Sequence, residues 1–278
     1  MNYKNDGFFI HVDKKVDINP FLKQCKGLNN VHFVSEEKRV KNYWGGFNSI
    51  IATFNTIELA LKTGKYDRFV LLQGQDYPLF SNEFIHDFFI DHINTEFCKA
   101  KNISASKNKS DYMKVGGYWH FDGRNFFWRI IHKLNSVIGV KYRPLKYKNK
   151  GTCWNVYHSR AYFSLTLPCI EYCFDVFKYN KGYNRFMKHR FPPDEIYIPT
   201  IIHNSKYKLN IWDKIIYNRY GETARLDLTY FEYPKVATVF RDKSDYYWLK
   251  DIGCLFVRKV NSSSKDLIEE IDKNILKG

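Results

Sequence analysis

Short apolar runs rich in strand-forming residues alternate with stretches of helical periodicity, and this alternation restricts the chain to few architectures. FFIHV (8–12) is one such run; it stops at Asp13 and the pair Lys14, Lys15, and reads as a buried strand with a carboxylate at its C-terminal end. After a linker containing Pro20, VHFV (31–34) predicts a second strand. Gly45 and Gly46 then precede FNSIIATFNTIELALKTG, in which Ile50, Ile51, Phe54, Ile57 and Leu61 recur at helical spacing up to a terminating Gly64. Residues 69–72 form a third run before Gly74, Gln75, Asp76 and Pro78, and NEFIHDFFIDHI predicts another helix. The order argues for an α/β fold built on a mostly parallel sheet, with ligands at the strand C-termini.

The second half continues the theme after an irregular interlude. Residues 99–150 are basic, polar and poorly periodic around an amphipathic FFWRIIHKLNSVIG, the character of substrate-covering loops. TCWNVYHS is strand-like, CIEYCFDVFKY is helical after Pro168, and Pro192 and Pro193 directly precede Asp194 and Glu195, a helix start with acidic residues in its first turn. Strands are expected near IIYNRY, KVATVF and CLFVRKV, and a last helix at SKDLIEEIDKNIL. Without an internal repeat or a low-complexity linker, residues 1–278 count as a single domain.

Composition narrows the function classes. At 278 residues, with 44% hydrophobic and 18% aromatic residues, the chain has ample apolar surface for a core, which excludes disorder. Its net charge of +15 calls for an anionic partner: nucleic acid, an acidic membrane surface or a phosphorylated small molecule. No apolar run reaches the length of a membrane span and MNYKNDGFF lacks the regions of a signal peptide, so a cytoplasmic protein is expected. The six cysteines, Cys25, Cys98, Cys153, Cys169, Cys173 and Cys254, form no CxxC pair and read as reduced thiols.

The common chemical signatures are missing. The chain has no GxxxxGK[ST] or GxGxxG for phosphate, no HExxH, no GxSxG, and no Asp-x-Asp pair to hold a metal ion on a pyrophosphate. What remains are carboxylates at element boundaries, Asp13, Asp76 and Glu195, and basic residues late in the chain, Lys235, Arg258 and Lys259. Each has a plain alternative. Asp13 and Asp76 can be turn formers, Glu195 can complement a helix dipole, the three basic residues can be solvated surface charges, and Trp44 beside its glycines can be a core edge as well as a stacking platform.

Taken in order, FIHVDKK, YWGGFNSIIATFNTIELAL, YDRFVLLQGQDYPL, GTCWNVYHSRAYFSL, PPDEIYIPTIIHNS and CLFVRKV resemble the core-2/I-branching β-1,6-N-acetylglucosaminyltransferase family, which also contains peptide O-xylosyltransferases. The resemblance runs from about residue 8 to 261 and implies a GT-A-type, Rossmann-like α/β fold, and inverting transfer from a UDP-sugar without a divalent metal or other cofactor. It implies Glu195 as the general base that takes the proton of the acceptor hydroxyl. Lys235 and Lys259, with Arg258, match the basic residues on the UDP pyrophosphate, the work a metal does elsewhere. Asp13 matches the carboxylate that reads uracil, Trp44 an aromatic of the same pocket, Asp76 a lone carboxylate facing the donor sugar, and Trp154 an aromatic of the acceptor side.

Two departures accompany the match. The family's usual first strand and helix would precede FFIHVDKK, where only seven residues stand before Phe8: either the chain is truncated, its start was chosen too late, or another segment covers that side of the sheet. Residues 99–150, with Asp111, Lys114 and Arg124, are a divergent acceptor-side insertion. The expected reaction moves a sugar, N-acetylglucosamine by preference and xylose as the alternative, from a UDP-sugar donor to a glycan hydroxyl in polysaccharide synthesis. The acceptor is expected to be lipid-linked, at the inner face of a membrane whose anionic surface attracts the basic chain. The competing reading is a non-catalytic module for nucleic acid or an anionic surface. Because the basic residues are spread along the chain, nucleic acid is not expected as a partner.

Overall fold

The computed structural model describes residues 6–108, 112, 115–122, 130, 144–214, 216–217, 223–224, 228–232 and 237–275. Lys235, Asp111, Lys114 and Arg124 lie outside the described residues. Within them the expected alternation is present. β1 (Phe8–Ile10) and β2 (Val31–Phe33) pair in parallel across α1 (Asn19–Gln24), the helical crossover that a parallel pair needs. α2 (Asn48–Thr63) leads to β3 (Arg68–Val70), β4 (Asp76–Pro78) and α3 (Asn82–Asp91). The middle of the chain supplies β5 (Lys101–Asn102), β6 (Lys146–Asn149), β7 (Thr152–Asn155), β8 (Tyr157–His158) and β9 (Ser164–Thr166). Then come α4 (Leu167–Tyr179), α5 (Lys181–Met187), a 3-10 turn at Pro193–Glu195, α6 (Tyr197–His203) and a second 3-10 turn at Lys206–Asn210. β10 (Ile216–Tyr217), β11 (Thr223–Ala224), β12 (Thr229–Phe231), α7 (Lys243–Asp251), β13 (Phe256–Arg258) and α8 (Lys265–Ile275) complete the order.

The mixed α/β character holds, but the described strands do not join into one mostly parallel sheet. Only β1–β2 and β12–β13 are parallel, whereas β13–β4, β3–β9, β5–β8, β6–β7 and β10–β11 are antiparallel. Helical periodicity between two strands implies a crossover, but it does not say beside which strand the chain arrives. β4 enters next to β13 from the opposite direction, giving a three-stranded order β12-β13-β4 that ties the start of the chain to its end. Two local expectations also change. Residues 237–240 of KVATVF have no strand ladder, and the basic stretch RPLKYKNKG contains strand β6 of a hairpin. Its turn is Lys150 (φ 42°) and Gly151 (φ 87°), the left-handed pair that a two-residue hairpin loop demands.

α2 starts without a side-chain cap of its own; instead Asp122 Oδ1 accepts the Asn48 N–H at 2.8 Å. The two glycines before it are needed at this place. Gly45 has φ +76° with Phe191 against it, and a Cβ on Gly46 would lie 2.3 Å from Asp122 Oδ1. α2 buries Ile50, Phe54 and Ile57 against α4 and α6, with the Phe54 and Phe177 rings stacked 4.2 Å apart. A separate core joins Leu79 after β4 to Tyr230, Phe240, Leu249, Val257, Leu267 and Ile271 of the C-terminal elements. Each such side chain contributes roughly 1.5–3 kcal/mol when fully buried.

Candidate active site

Glu195 closes the 3-10 turn that Pro193 begins. Proline suits that position, since its fixed φ is already helical and the N–H it lacks would have no partner there. The backbone of the turn is held from outside, because Ser159 N–H donates to the Glu195 carbonyl at 2.8 Å. The side chain is held as well: His158 Nε2 lies 2.8 Å from Glu195 Oε2, and both side chains keep about a third of their surface in solvent, 29% and 34%. Asp194, beside it in the turn, is half-buried, and its Oδ1 is buried with no hydrogen-bond partner among the described residues. Burial, followed by the charge of Glu195, pushes its carboxyl up to about 6, partly offset by the backbone N–H groups of Asp194 and Glu195.

Four residues beyond His158, Tyr162 belongs to a second acidic centre. Asp76 and Arg258 are directly paired across β4 and β13, so Arg258 Nη1 meets Asp76 Oδ1 at 2.8 Å while Tyr162 donates to the same oxygen at 3.2 Å. Asp76 Oδ2 accepts the Gln73 N–H at 2.6 Å, and its side chain is 1% exposed. Burial and the neighbouring Asp76 charge push the Tyr162 hydroxyl far up, so it stays a donor. The expectation that Asp76 faces a donor sugar is therefore corrected. Both oxygens are engaged inside the protein, and its turn-forming alternative is the one realised. Arg258 is bound to it, and Lys259 follows with its N–H on Thr238 and its carbonyl accepting from Phe240.

The remaining sequence candidates fall into different surroundings. Asp13 Oδ1 accepts the Lys15 N–H at 2.9 Å and Oδ2 pairs with Lys15 Nζ at 3.2 Å, the geometry of an aspartate-led turn. Arg39, buried at 4% exposure, braces that turn through the carbonyls of Val12, Asp13 and Val16. Trp44 is 82% exposed, with its ring against Phe191 (centroids 4.9 Å) and Phe121 (6.3 Å). Trp154 is corrected in the other direction. At 5% exposure, with Tyr147 and Tyr183 edge-on to it, its ring is spent on the core and has no free face for an acceptor sugar.

Sequence reasoning passed over His158, Asp194, Arg39 and Tyr162. Asp194 alone carried a local signal, its place beside Glu195 in the same turn. Among the described residues no three His, Cys, Asp or Glu side chains gather as a metal-binding group, and no helix is long and apolar enough to cross a membrane.

No curated protein matches the chain. The model of the family described as Branch: Core-2/I-Branching enzyme matches residues 1–222, which include the Glu195 turn, β8 and Asp76 and leave β12 and β13 outside. A match over most of the length, with the carboxylate turn inside it, places the chain: it belongs to the Core-2/I-branching enzyme family, a family of glycosyltransferases.

Proposed function

We propose that the protein transfers a sugar, N-acetylglucosamine by preference, from a UDP-sugar to a glycan hydroxyl with inversion and without a metal, and that Glu195 is the general base. The observation that carries this reading is the Glu195 carboxylate, one third exposed at a turn fixed through its own carbonyl, with a single ring nitrogen on one oxygen. A base in that state is held in place yet open to an acceptor hydroxyl. Lys259 and Lys235 take the charge that develops on the leaving diphosphate, and Asp13 and Trp44 take the uracil. The parallel pairs β1–β2 and β12–β13 support a GT-A-type reading of the fold.

UDP release from a panel including UDP-N-acetylglucosamine and UDP-xylose, in excess EDTA, tests the reading. Wild-type turnover persists, and Glu195→Gln lowers it by about 10²-fold or more. Turnover lost to EDTA would overturn the metal-free part, and an active Glu195→Gln would overturn the base.

The glycan acceptor is lipid-linked in this reading, and the enzyme meets it at an anionic inner membrane face. α1 supports the idea: it has no buried residue, Phe21 and Leu22 on it and Val16 and Leu28 beside it are exposed, and Lys23 and Lys26 flank them. In co-sedimentation, phosphatidylglycerol vesicles retain the protein at low salt and phosphatidylcholine vesicles do not, and the double variant Phe21→Glu, Leu22→Glu is released. Equal retention of the variant would remove α1 from the contact.

A further inference from the structure

His158 is held to the Glu195 turn by more than its own side chain. The strand that carries it is anchored on both sides of the ring: Tyr157 N–H donates to Thr200 Oγ1 at 2.9 Å, and Ser159 N–H donates to the Glu195 carbonyl at 2.8 Å. β8 is also laddered to β5, with Lys101 opposite His158, and the Tyr157 ring stacks on His203 at 4.5 Å. The imidazole therefore meets the carboxylate from a frame fixed to the same turn. The ring nitrogen Nε2 stands 2.8 Å from one carboxylate oxygen, Oε2, within ion-pair range. His158 thus stands against Oε2 and not against Oε1.

We infer that His158 is a positioning residue for the transfer step, holding Glu195 in one rotamer so that Oε1 is aimed at the acceptor. This rests on the reading of Glu195 as the base. In the step, the acceptor oxygen forms its bond to the anomeric carbon as the bond to the UDP oxygen breaks. The bonding pair leaves on the diphosphate, and the acceptor proton passes to Glu195 Oε1. His158 touches neither reactant; it restricts the base. A carboxylate released from this contact samples rotamers in which neither oxygen points at the hydroxyl, a loss in the chemical step rather than in donor binding.

The test uses the full chain with UDP-N-acetylglucosamine, or UDP-xylose where the panel selects it, measuring kcat, KM and thermal unfolding. His158→Leu lowers kcat by about 10- to 100-fold with donor KM within about twofold of wild type. His158→Gln, whose amide nitrogen reaches the place of Nε2, recovers most of kcat. A structural role would not give this: it would move the unfolding temperature and would not distinguish glutamine from leucine in folded protein. Wild-type kcat in His158→Leu, or a folded His158→Gln as slow as His158→Leu, overturns the inference. If Glu195→Gln abolishes turnover while His158→Leu does not, the positioning role alone fails. If Glu195→Gln retains turnover, both fail together.

Discussion

Two acidic centres are fastened to the same five residues, 158–162, and they are opposite in kind. At one end, His158 meets a Glu195 carboxylate that keeps a third of its surface in water. At the other, Tyr162 joins Arg258 on an Asp76 carboxylate that is 1% exposed and has no oxygen free. Both acids lie at the end of a secondary-structure element and both have a nitrogen partner at 2.8 Å, so neither spacing nor contact distance separates them. What separates them is saturation. Asp76 accepts from a guanidinium, a phenol and a backbone N–H at 1% exposure, whereas among the described residues the Glu195 carboxylate meets His158 and keeps a third of its surface exposed.

The largest effect expected from this difference is on stability. Asp76→Ala strands Arg258, 15% exposed at its side chain, beside the Tyr162 hydroxyl with no anion. Removing one partner of a buried pair typically costs about 3–5 kcal/mol. Urea unfolding should show a loss of that order, and the double variant Asp76→Ala, Arg258→Met should lose less than the sum of the two single changes. Turnover per folded molecule stays near wild type. A normally stable Asp76→Ala with a raised donor KM would break the comparison and return Asp76 to the donor site.

The contrast also explains what could be read in advance. α2 and α8 were legible because their burial follows the period of the sequence, and β1, whose three residues are all half-buried, was legible from its run of strand-forming residues; the Pro192, Pro193, Asp194, Glu195 run, read as a helix start, folds as a three-residue 3-10 turn. The hairpin β6–β7 was hidden because its turn places Lys150 at positive φ beside Gly151 in a stretch whose basic residues suggest a loop. Relations across the chain left no trace at all. The cap of α2 comes from Asp122, 74 positions away, and the partner of Asp76 comes from a strand 182 positions away. His158 is one histidine after a tyrosine, and nothing local distinguishes it from a surface residue. Trp154 failed for the converse reason. A tryptophan on a half-polar strand fits a sugar platform and a core equally well, and only the packing of Tyr147 and Tyr183 decides.

A smaller effect sharpens the open centre from within. Asp194 is the acid there whose Oδ1 is buried without a partner among the described residues, and its carboxyl is raised from 3.8 to about 6, by desolvation first and by the Glu195 charge second. A raised carboxyl means that between pH 4 and 6 the folded state holds a proton the unfolded chain has lost. The associated stability is therefore full below about pH 4 and falls as pH rises through 6, by up to about 3 kcal/mol. Asp194→Asn cannot ionise, so it should unfold at higher temperature than wild type at pH 7.5, by a margin equivalent to about 1–2 kcal/mol once its own buried amide is counted. That margin should close as pH approaches 4. It should also shrink in a Glu195→Gln background, where the second cause of the shift is gone, and remain unchanged on Asp76→Asn. A margin that is independent of pH, or that ignores Glu195, would mean the two acids of the turn do not share one electrostatic site.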